Sequence, residues 1–527
     1  NRGRANEFVE AFILDISWQD YNNEMKELEK ITKQDIIDFA NARYTDNYVV
    51  SYKRNGEDKS VMKVSKPAIT PVSVNREDRS DFLVNLLAEE TKDIEPVFLN
   101  FDKDIQKSNV GDVPLIYKKN MENERFKLNY ILDMGKDHDN RLALAVDYLK
   151  FLGTSDMTPS DKAKRFYKLG CELSVSCSAD NIQVTLSGLA NNFDESVALF
   201  ENILSNAVVD EEALIELKAA KLKERADAKL NRQTILWRAM GNYAKYGANS
   251  SFTNILSEEE LSNISSNELV DLIRNITTYK HRILYYGPES ISEVSSELEK
   301  LHINKLDLKE IPKKKEFIED PMDKPVVYVV DYDMKQAEVM ILSKGDKLNM
   351  NKYSNIRFHN EYFGGGMSSI VFQEMRESKA LAYSARSYFS TPSKLNQSHY
   401  ITAYLGTQVD KLQEATISLL DLMNNMPEVA GQFGDAKIAA LKKIETSRTK
   451  RSQLFWNYLR AKELGFEYDI NKDIYPALKK LTLADLKLFF DEHVKNQNYT
   501  FLVLGNKDMV DHNALKELGN YEELDLD

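Results

Sequence analysis

Three stretches of this chain read alike, and their spacing sets the scale of whatever fold it adopts. The first runs from Ile31-Thr32-Lys33-Gln34-Asp35 to Tyr48-Val49-Val50-Ser51-Tyr52 and Gly56. The second runs from Ile264-Ser265-Ser266-Asn267-Glu268 to Arg282-Ile283-Leu284-Tyr285-Tyr286-Gly287. The third runs from Leu481-Thr482-Leu483-Ala484-Asp485 to Tyr499-Thr500-Phe501-Leu502-Val503-Leu504-Gly505. Each opens with an apolar residue, a Ser or Thr and an acid three residues later, the pattern of a capping box preceded by a staple residue. Each continues with helical apolar periodicity and closes with a β-rich run ending at glycine. From opening residue to glycine the lengths are 25, 23 and 24 residues. The starts, at 31, 264 and 481, lie 233 and 217 residues apart. A solenoid repeats every 20–50 residues or so, so the repeating unit here is a whole domain.

The beginnings of the repeats match as well. Val113-Pro114-Leu115-Ile116-Tyr117 and Val326-Val327-Tyr328-Val329-Val330 are strand-like, and β-rich runs follow from Lys127 to Leu132 and from Ala337 to Leu342. A helical stretch comes next and breaks at Phe151-Leu152-Gly153-Thr154 in one copy and at Tyr362-Phe363-Gly364-Gly365-Gly366 in the other. Alternating strands such as Glu172 to Val175 and Gln183 to Leu186 follow, with a helix beginning near Asn192. Strands grouped with strands and helices with helices predict an α+β fold: two similar modules, each a mainly antiparallel sheet with helices on one face. The modules are expected at 101–305 and 326–527, with linkers at 65–100 and 306–325. Residues 1–64 read as the tail of a truncated preceding module, with a helix face or sheet edge left uncovered. The Lys313-Lys314-Lys315 triplet reads as solvated linker. Cys171 and Cys177 share one face of a strand as small buried residues.

Composition narrows the function. The chain has 527 residues, with 70 Lys and Arg against 83 Asp and Glu, a formal charge of −13. That balance argues against a nucleic-acid partner, which needs basic faces. No run of 18 apolar residues predicts a membrane span.

The most informative stretch runs Gly364-Gly365-Gly366-Met367-Ser368-Ser369-Ile370-Val371-Phe372-Gln373-Glu374-Met375-Arg376-Glu377-Ser378-Lys379-Ala380-Leu381-Ala382-Tyr383-Ser384. The glycine triplet lacks the lysine of a phosphate-binding loop. Ser368 or Ser369 is placed to cap a helix that ends near Arg376, and Leu381, Tyr383 and Ala385 alternate on a following strand. Tyr offers a neutral donor at pH 7 and Arg a fixed cationic one. The bland reading is a buried Tyr and a surface Arg paired with Glu377 or an Asp. The glycine break, the phenylalanine-led helix and the Arg and Tyr seven residues apart resemble the carboxy-terminal half of the pitrilysin/insulinase family of zinc metallopeptidases. The resemblance spans the chain, with 101–305 and 326–527 similar to that family's third and fourth modules. It implies that Arg376 and Tyr383, with Gly364, Gly365 and Gly366, bind substrate, and that Tyr383 also acts in catalysis.

The family's zinc is held by an H-x-x-E-H motif and a distal Glu, in which two His share a helix face and the Glu activates water. None of the seven histidines has a second within five residues. Counted from the glycine breaks, the motif positions hold Leu144, Asp147 and Tyr148 in one module and Asn355, Phe358 and His359 in the other; His359 alone reads as a core or helix-surface residue. The resemblance therefore implies a peptidase whose zinc is held by an amino-terminal half, in the same polypeptide or a partner chain, while this chain alone is inactive. The expected substrate is a peptide or unfolded polypeptide enclosed between the halves; the sequence does not give the compartment. The competing readings are a non-catalytic structural subunit of the same fold and a scaffold that holds extended peptides by strand addition.

Overall fold

The computed structural model describes residues 2–54, 56, 60, 78–89, 92–303 and 308–526. It divides into two compact units, 1–68 and 69–527. In the smaller unit three helices, Arg2–Ile13, Trp18–Leu28 and Lys33–Arg43, leave Phe8, Phe12, Ile13, Ile36 and Phe39 exposed. The β-rich run at 48–52 forms no strand, and Val49 is 98% exposed. Parts of the expected tail and of the 65–100 linker lie outside the described residues.

The larger unit holds two six-stranded sheets. The first contains β1 (Gln106–Val110), β2 (Val113–Lys119), β3 (Arg125–Leu132), β4 (Glu172–Cys177), β5 (Ile182–Leu189) and β6 (Arg282–Gly287), in the order β1-β2-β6-β3-β5-β4. The second contains β7 (Val326–Asp331), β8 (Gln336–Lys347), β9 (Ser384–Phe389), β10 (Ser398–Gln408), β11 (Thr500–Gly505) and β12 (Asn520–Glu523), in the order β12-β7-β11-β8-β10-β9. Five strands therefore recur in the same order. The β2–β6 and β7–β11 pairs are parallel, and the pairings among β3, β4, β5 and β6, like those among β8, β9, β10 and β11, are antiparallel. The sixth strand differs in origin: β1 precedes β2 in a hairpin, whereas β12 comes from the carboxy-terminal end and runs parallel to β7. The α+β expectation of mainly antiparallel sheets holds.

Local chemistry fixes the recurring helices. Thr32, Ser265 and Thr482 each form a complete capping box, with Asp35, Glu268 and Asp485 respectively. Each box satisfies two of the amides a helix start leaves open. Strand alternation then separates the faces. Phe126, Leu128, Tyr130 and Leu132 of β3 join Ile182, Val184 and Leu186 of β5 in a core under the helices. Val339 and Ile341 of β8 do the same with Phe358, Phe363 and Phe490 in the second module.

The second face of each sheet is also covered, and here the one-sided picture is incomplete. In the first module, helix Glu211–Ala228 leads into a π-helical turn Thr234–Met240 and helix Gly241–Tyr246. Ile235, Leu236, Met240 and Ala244 of that arm pack on Met340, Leu342, Tyr404 and Leu502 of the second sheet. The second module returns the exchange. Helix Ala430–Glu445 leads to helix Gln453–Glu463, whose Leu454, Phe455 and Tyr458 pack on Ile116, Ile131 and Leu284 of the first sheet. Each module thus buries apolar surface of its sister, and the reciprocity comes from the repeat itself.

The linkers are more structured than their composition predicts. Residues 81–88 form a helix capped by Ser80, and Arg79 makes two bonds of 2.8 Å to the Asp435 carboxylate. Lys314 lies 3.7 Å from Asp180 and Lys315 N donates to Asp137 O at 2.8 Å, so the basic triplet is tied to the first module. Among the described residues no helix is long and apolar enough to cross a membrane.

Candidate functional site

The glycine triplet divides by position. Gly364 is buried, and a Cβ there would overlap the carbonyl oxygen of Ser387 in β9. Its requirement for glycine is therefore met by helix-to-strand packing, aided by Asn360, whose side-chain amide bonds both backbone groups of Phe389 at 2.7 and 2.9 Å. Gly365 and Gly366 are exposed, and Gly366 faces open space. Ser369 occupies the cap position, but its hydroxyl donates back to Gly366 O at 2.6 Å and caps no helix amide. The short helix Ile370–Phe372 passes into a π-helical turn Gln373–Ser378.

Arg376 sits in that turn. Its guanidinium lies 5.1 Å from the Phe372 ring centroid, its Nε is 3.5 Å from Glu377 Oε1, and its side chain is half exposed. Tyr383 departs from the expected alternation. Leu381 and Ala385 enter the helix-side core, whereas Tyr383 turns to the opposite face and is 41% exposed. The segment opens with Ala380 in a left-handed conformation, φ 49°. Gly406 of β10 presents no side chain, and a Cβ there would stand 2.5 Å from the Tyr383 phenol carbon and oxygen. The backbone stays in register, with Tyr383 N donating to Gly406 O at 3.0 Å.

The surroundings of the Tyr383 phenol come from both modules. Glu338 of β8 is 1% exposed and lies 3.3 Å from Arg232, which the first module's arm carries across. Arg232 and Tyr404 stand close enough to the Tyr383 phenol to lower its pKa. Arg386 stacks over Trp237 at 4.6 Å and Tyr404 at 5.2 Å, closing one side. Burial and the Glu338 charge raise the Tyr383 pKa above its ordinary value, and Arg232 and Tyr404 oppose that shift. The phenol is therefore protonated at neutral pH, a donor held in place but open to solvent. Among the described residues no hydrogen bond or ion pair joins Arg376 to Tyr383. Arg232, Glu338, Tyr404 and Gly406 were not readable as site residues, because nothing near them in sequence marks them.

The positions matched to a zinc motif do not fit zinc. Asp147 is ion-paired with Lys221 at 2.9 Å and Lys150 at 2.6 Å. His359 is fully buried against the rings of Phe363, Phe489 and Phe490, with neither ring nitrogen hydrogen-bonded. A lone imidazole in an aromatic box offers no second ligand and no charge to a cation. Among the described residues no group of three or more His, Cys, Asp or Glu side chains could hold a metal.

Residues 281–430 match the family model described as the Peptidase M16 inactive domain. The chain is 23% identical over 440 residues to the "Non-peptidase homolog YmxG" of Helicobacter pylori, covering 76% of this chain and 94% of that protein. It is 22% identical over 362 residues to an "Uncharacterized zinc protease" of Rickettsia bellii, covering 65% and 82% respectively. Its fold is similar to that of the periplasmic protease PqqL from Escherichia coli, with a TM-score of 0.61 at 13% identity, covering 92% of this chain and 52% of that one. The chain thus spans about half of PqqL.

Proposed function

We infer that this chain, which carries the inactive domain of the M16 peptidase family, is the metal-free, substrate-gripping part of an M16-type peptidase. In this reading 101–305 and 326–527 are the third and fourth modules, and zinc is held by an amino-terminal half in the same polypeptide or a partner chain. A peptide or unfolded polypeptide is enclosed between the halves, as the pitrilysin/insulinase resemblance implies. The observation that carries the reading is the Tyr383 phenol: seated over Gly406, which lies opposite Glu338 in the sheet, protonated and 41% exposed.

Such a donor suits a carbonyl oxygen that gains negative charge during peptide hydrolysis. Preorganised donors stabilise that charge without reorganising at the moment of reaction. In this reading Arg376 holds substrate backbone carbonyls. To do so it must leave Glu377, and an exposed pair of this kind is worth at most about 1 kcal/mol, so the exchange costs little. Gly366 leaves open backbone beside the same segment, while Gly364 and Gly365 serve packing, a Cβ at Gly365 overlapping the Asn360 carbonyl oxygen.

The name of the Helicobacter relative favours a second reading, a non-catalytic structural or peptide-binding subunit of the same fold. Hydrolysis of an unstructured peptide separates the two. The chain alone should be inactive, and addition of a zinc-bearing M16 half should give chelator-sensitive cleavage beyond that of the half alone. No gain in cleavage, with the two halves shown to associate, would favour the structural reading.

A further inference from the structure

The repeat allows positions in the two sheets to be matched through their registers. Lys127 of β3 pairs with Tyr286 and Glu338 of β8 pairs with Leu504, and both partners precede the glycine that ends their strand. Lys127 therefore occupies the place of Glu338. By the same registers Ser187 stands where Gly406 does, and Glu172 where Ser384 does. The crossing arms match too. Arg232 and Arg451 each lie two residues before the helical turn that covers the sister sheet, at Thr234 and Gln453.

In the second sheet this place is filled. Arg232 meets the Glu338 carboxylate and the Tyr383 ring lies over Gly406. In the first sheet the charge is inverted, and the place is open. With Lys127 beneath it, Arg451 turns to Glu122 at the rim, 3.0 Å from Nε to Oε2, in a left-handed conformation at φ 55°. A strained non-glycine backbone of that kind persists where its surroundings demand it. What remains is a cleft of about 550 Å³ lined by Arg125, Lys127 and Arg451 against the single acid Glu172, with Gln183 and Thr185 on its floor. Among the described residues Arg125 and Lys127 form no ion pair. Asn129, beside Gln183 and Thr185, is 1% exposed, and its side-chain nitrogen has no partner.

We propose that this cleft, the counterpart of the Tyr383 site, binds carboxylate groups of a peptide. The proposal rests on the reading of the chain as a peptide-holding half and deepens it by naming the substrate class: acidic peptide segments or a peptide's terminal carboxylate. With Arg451 held by Glu122 at the rim, two cations without an ion pair, Arg125 and Lys127, face the one acid Glu172 inside the cleft, in a chain of net charge −13. Uncompensated guanidinium and ammonium groups in a half-enclosed cleft bind carboxylates through charge-assisted hydrogen bonds.

The test is calorimetric titration of the 527-residue chain with three unstructured peptides: an Asp- and Glu-rich peptide with an amidated end, a neutral peptide with a free terminal carboxylate, and the same neutral peptide amidated. Binding of the first or the second, weakened at high salt, supports the cleft and tells side-chain from terminal recognition. Lys127→Met and Arg125→Gln should each raise Kd by about 10-fold or more, the value of one charge-assisted bond. Neither side chain has a partner to lose, so melting temperatures should stay unchanged. Equal binding of the amidated neutral peptide, no binding of any peptide, or an unaltered Kd in both variants would overturn the proposal. The titration needs neither a zinc half nor turnover, so its failure is separable from failure of the Tyr383 reading.

Discussion

His359→Leu probes the most unusual titratable group in the second module's core. The imidazole is fully buried, its two nitrogens are unpartnered, and its closest ring neighbours are Phe363, Phe489 and Phe490. Burial pushes its pKa down from 6.5 to about 3. The folded state therefore keeps it neutral at pH values where the unfolded chain takes up a proton. Because the folded pKa is depressed, the associated stability is fully present above pH 6.5 and is lost as pH falls towards 3. Each pH unit in that window costs about 1.4 kcal/mol. Between pH 7.5 and pH 5 the wild type should lose about 2 kcal/mol through this residue alone. Leucine removes the titration, and it also removes two buried unpaired nitrogens whose desolvation costs about 1–3 kcal/mol. His281, held down to about 4 by burial and by His302, adds a loss of the same sign in both proteins and cancels in the comparison. Urea unfolding followed by near-ultraviolet circular dichroism, at pH 7.5 and at pH 5, gives the difference. The variant should be at least as stable as wild type at pH 7.5, and its advantage should widen by about 2 kcal/mol at pH 5. A gap that is constant or narrows on acidification would refute the reasoning.

The remaining predictions concern the site and its frame. Gly406→Ala should displace the Tyr383 ring, since a Cβ would stand 2.5 Å from its phenol carbon; on the proposed reading, turnover measured with a zinc-bearing half should drop while melting temperature changes little, because that ring is partly exposed. Gly364→Ala should do the reverse and lower melting temperature by forcing the helix away from the Ser387 carbonyl, a cost of about 1–3 kcal/mol measurable by calorimetry. Arg376→Ala should raise KM with little change in kcat, as expected for a residue that holds substrate equally in ground and transition states. After dialysis against chelator and then buffered zinc, elemental analysis of the chain alone should find less than one zinc per molecule.

What the sequence disclosed was what short-range chemistry encodes. The capping boxes at Thr32, Ser265 and Thr482, the strand alternation of β4 and β5, and the glycine break at 364–366 depend on residues a few positions apart, and all are present. Long-range features were hidden. Glu338 and Arg232 lie in different modules, and only the crossing arm brings them together. Gly406 looks unremarkable inside β10 until the Tyr383 ring is seen above it. Tyr383 itself breaks the two-residue period, its ring lying over Gly406 while Leu381 and Ala385 stay in the helix-side core. The strand-like run at 48–52 shows the converse, since β-propensity without a neighbouring strand leaves its backbone unpaired.

The central claim is that the Tyr383 hydroxyl acts on the substrate carbonyl. Tyr383→Phe keeps the ring over Gly406 and removes only the donor, so kcat and KM of this variant, measured with the zinc-bearing half present, test the claim directly. Loss of one oxyanion donor should lower kcat by about 100- to 1,000-fold. KM and melting temperature should hardly move, because the donor matters in the transition state and the side chain is partly exposed. Unaltered turnover, or a large loss of folding stability in its place, would show that Tyr383 belongs to the scaffold.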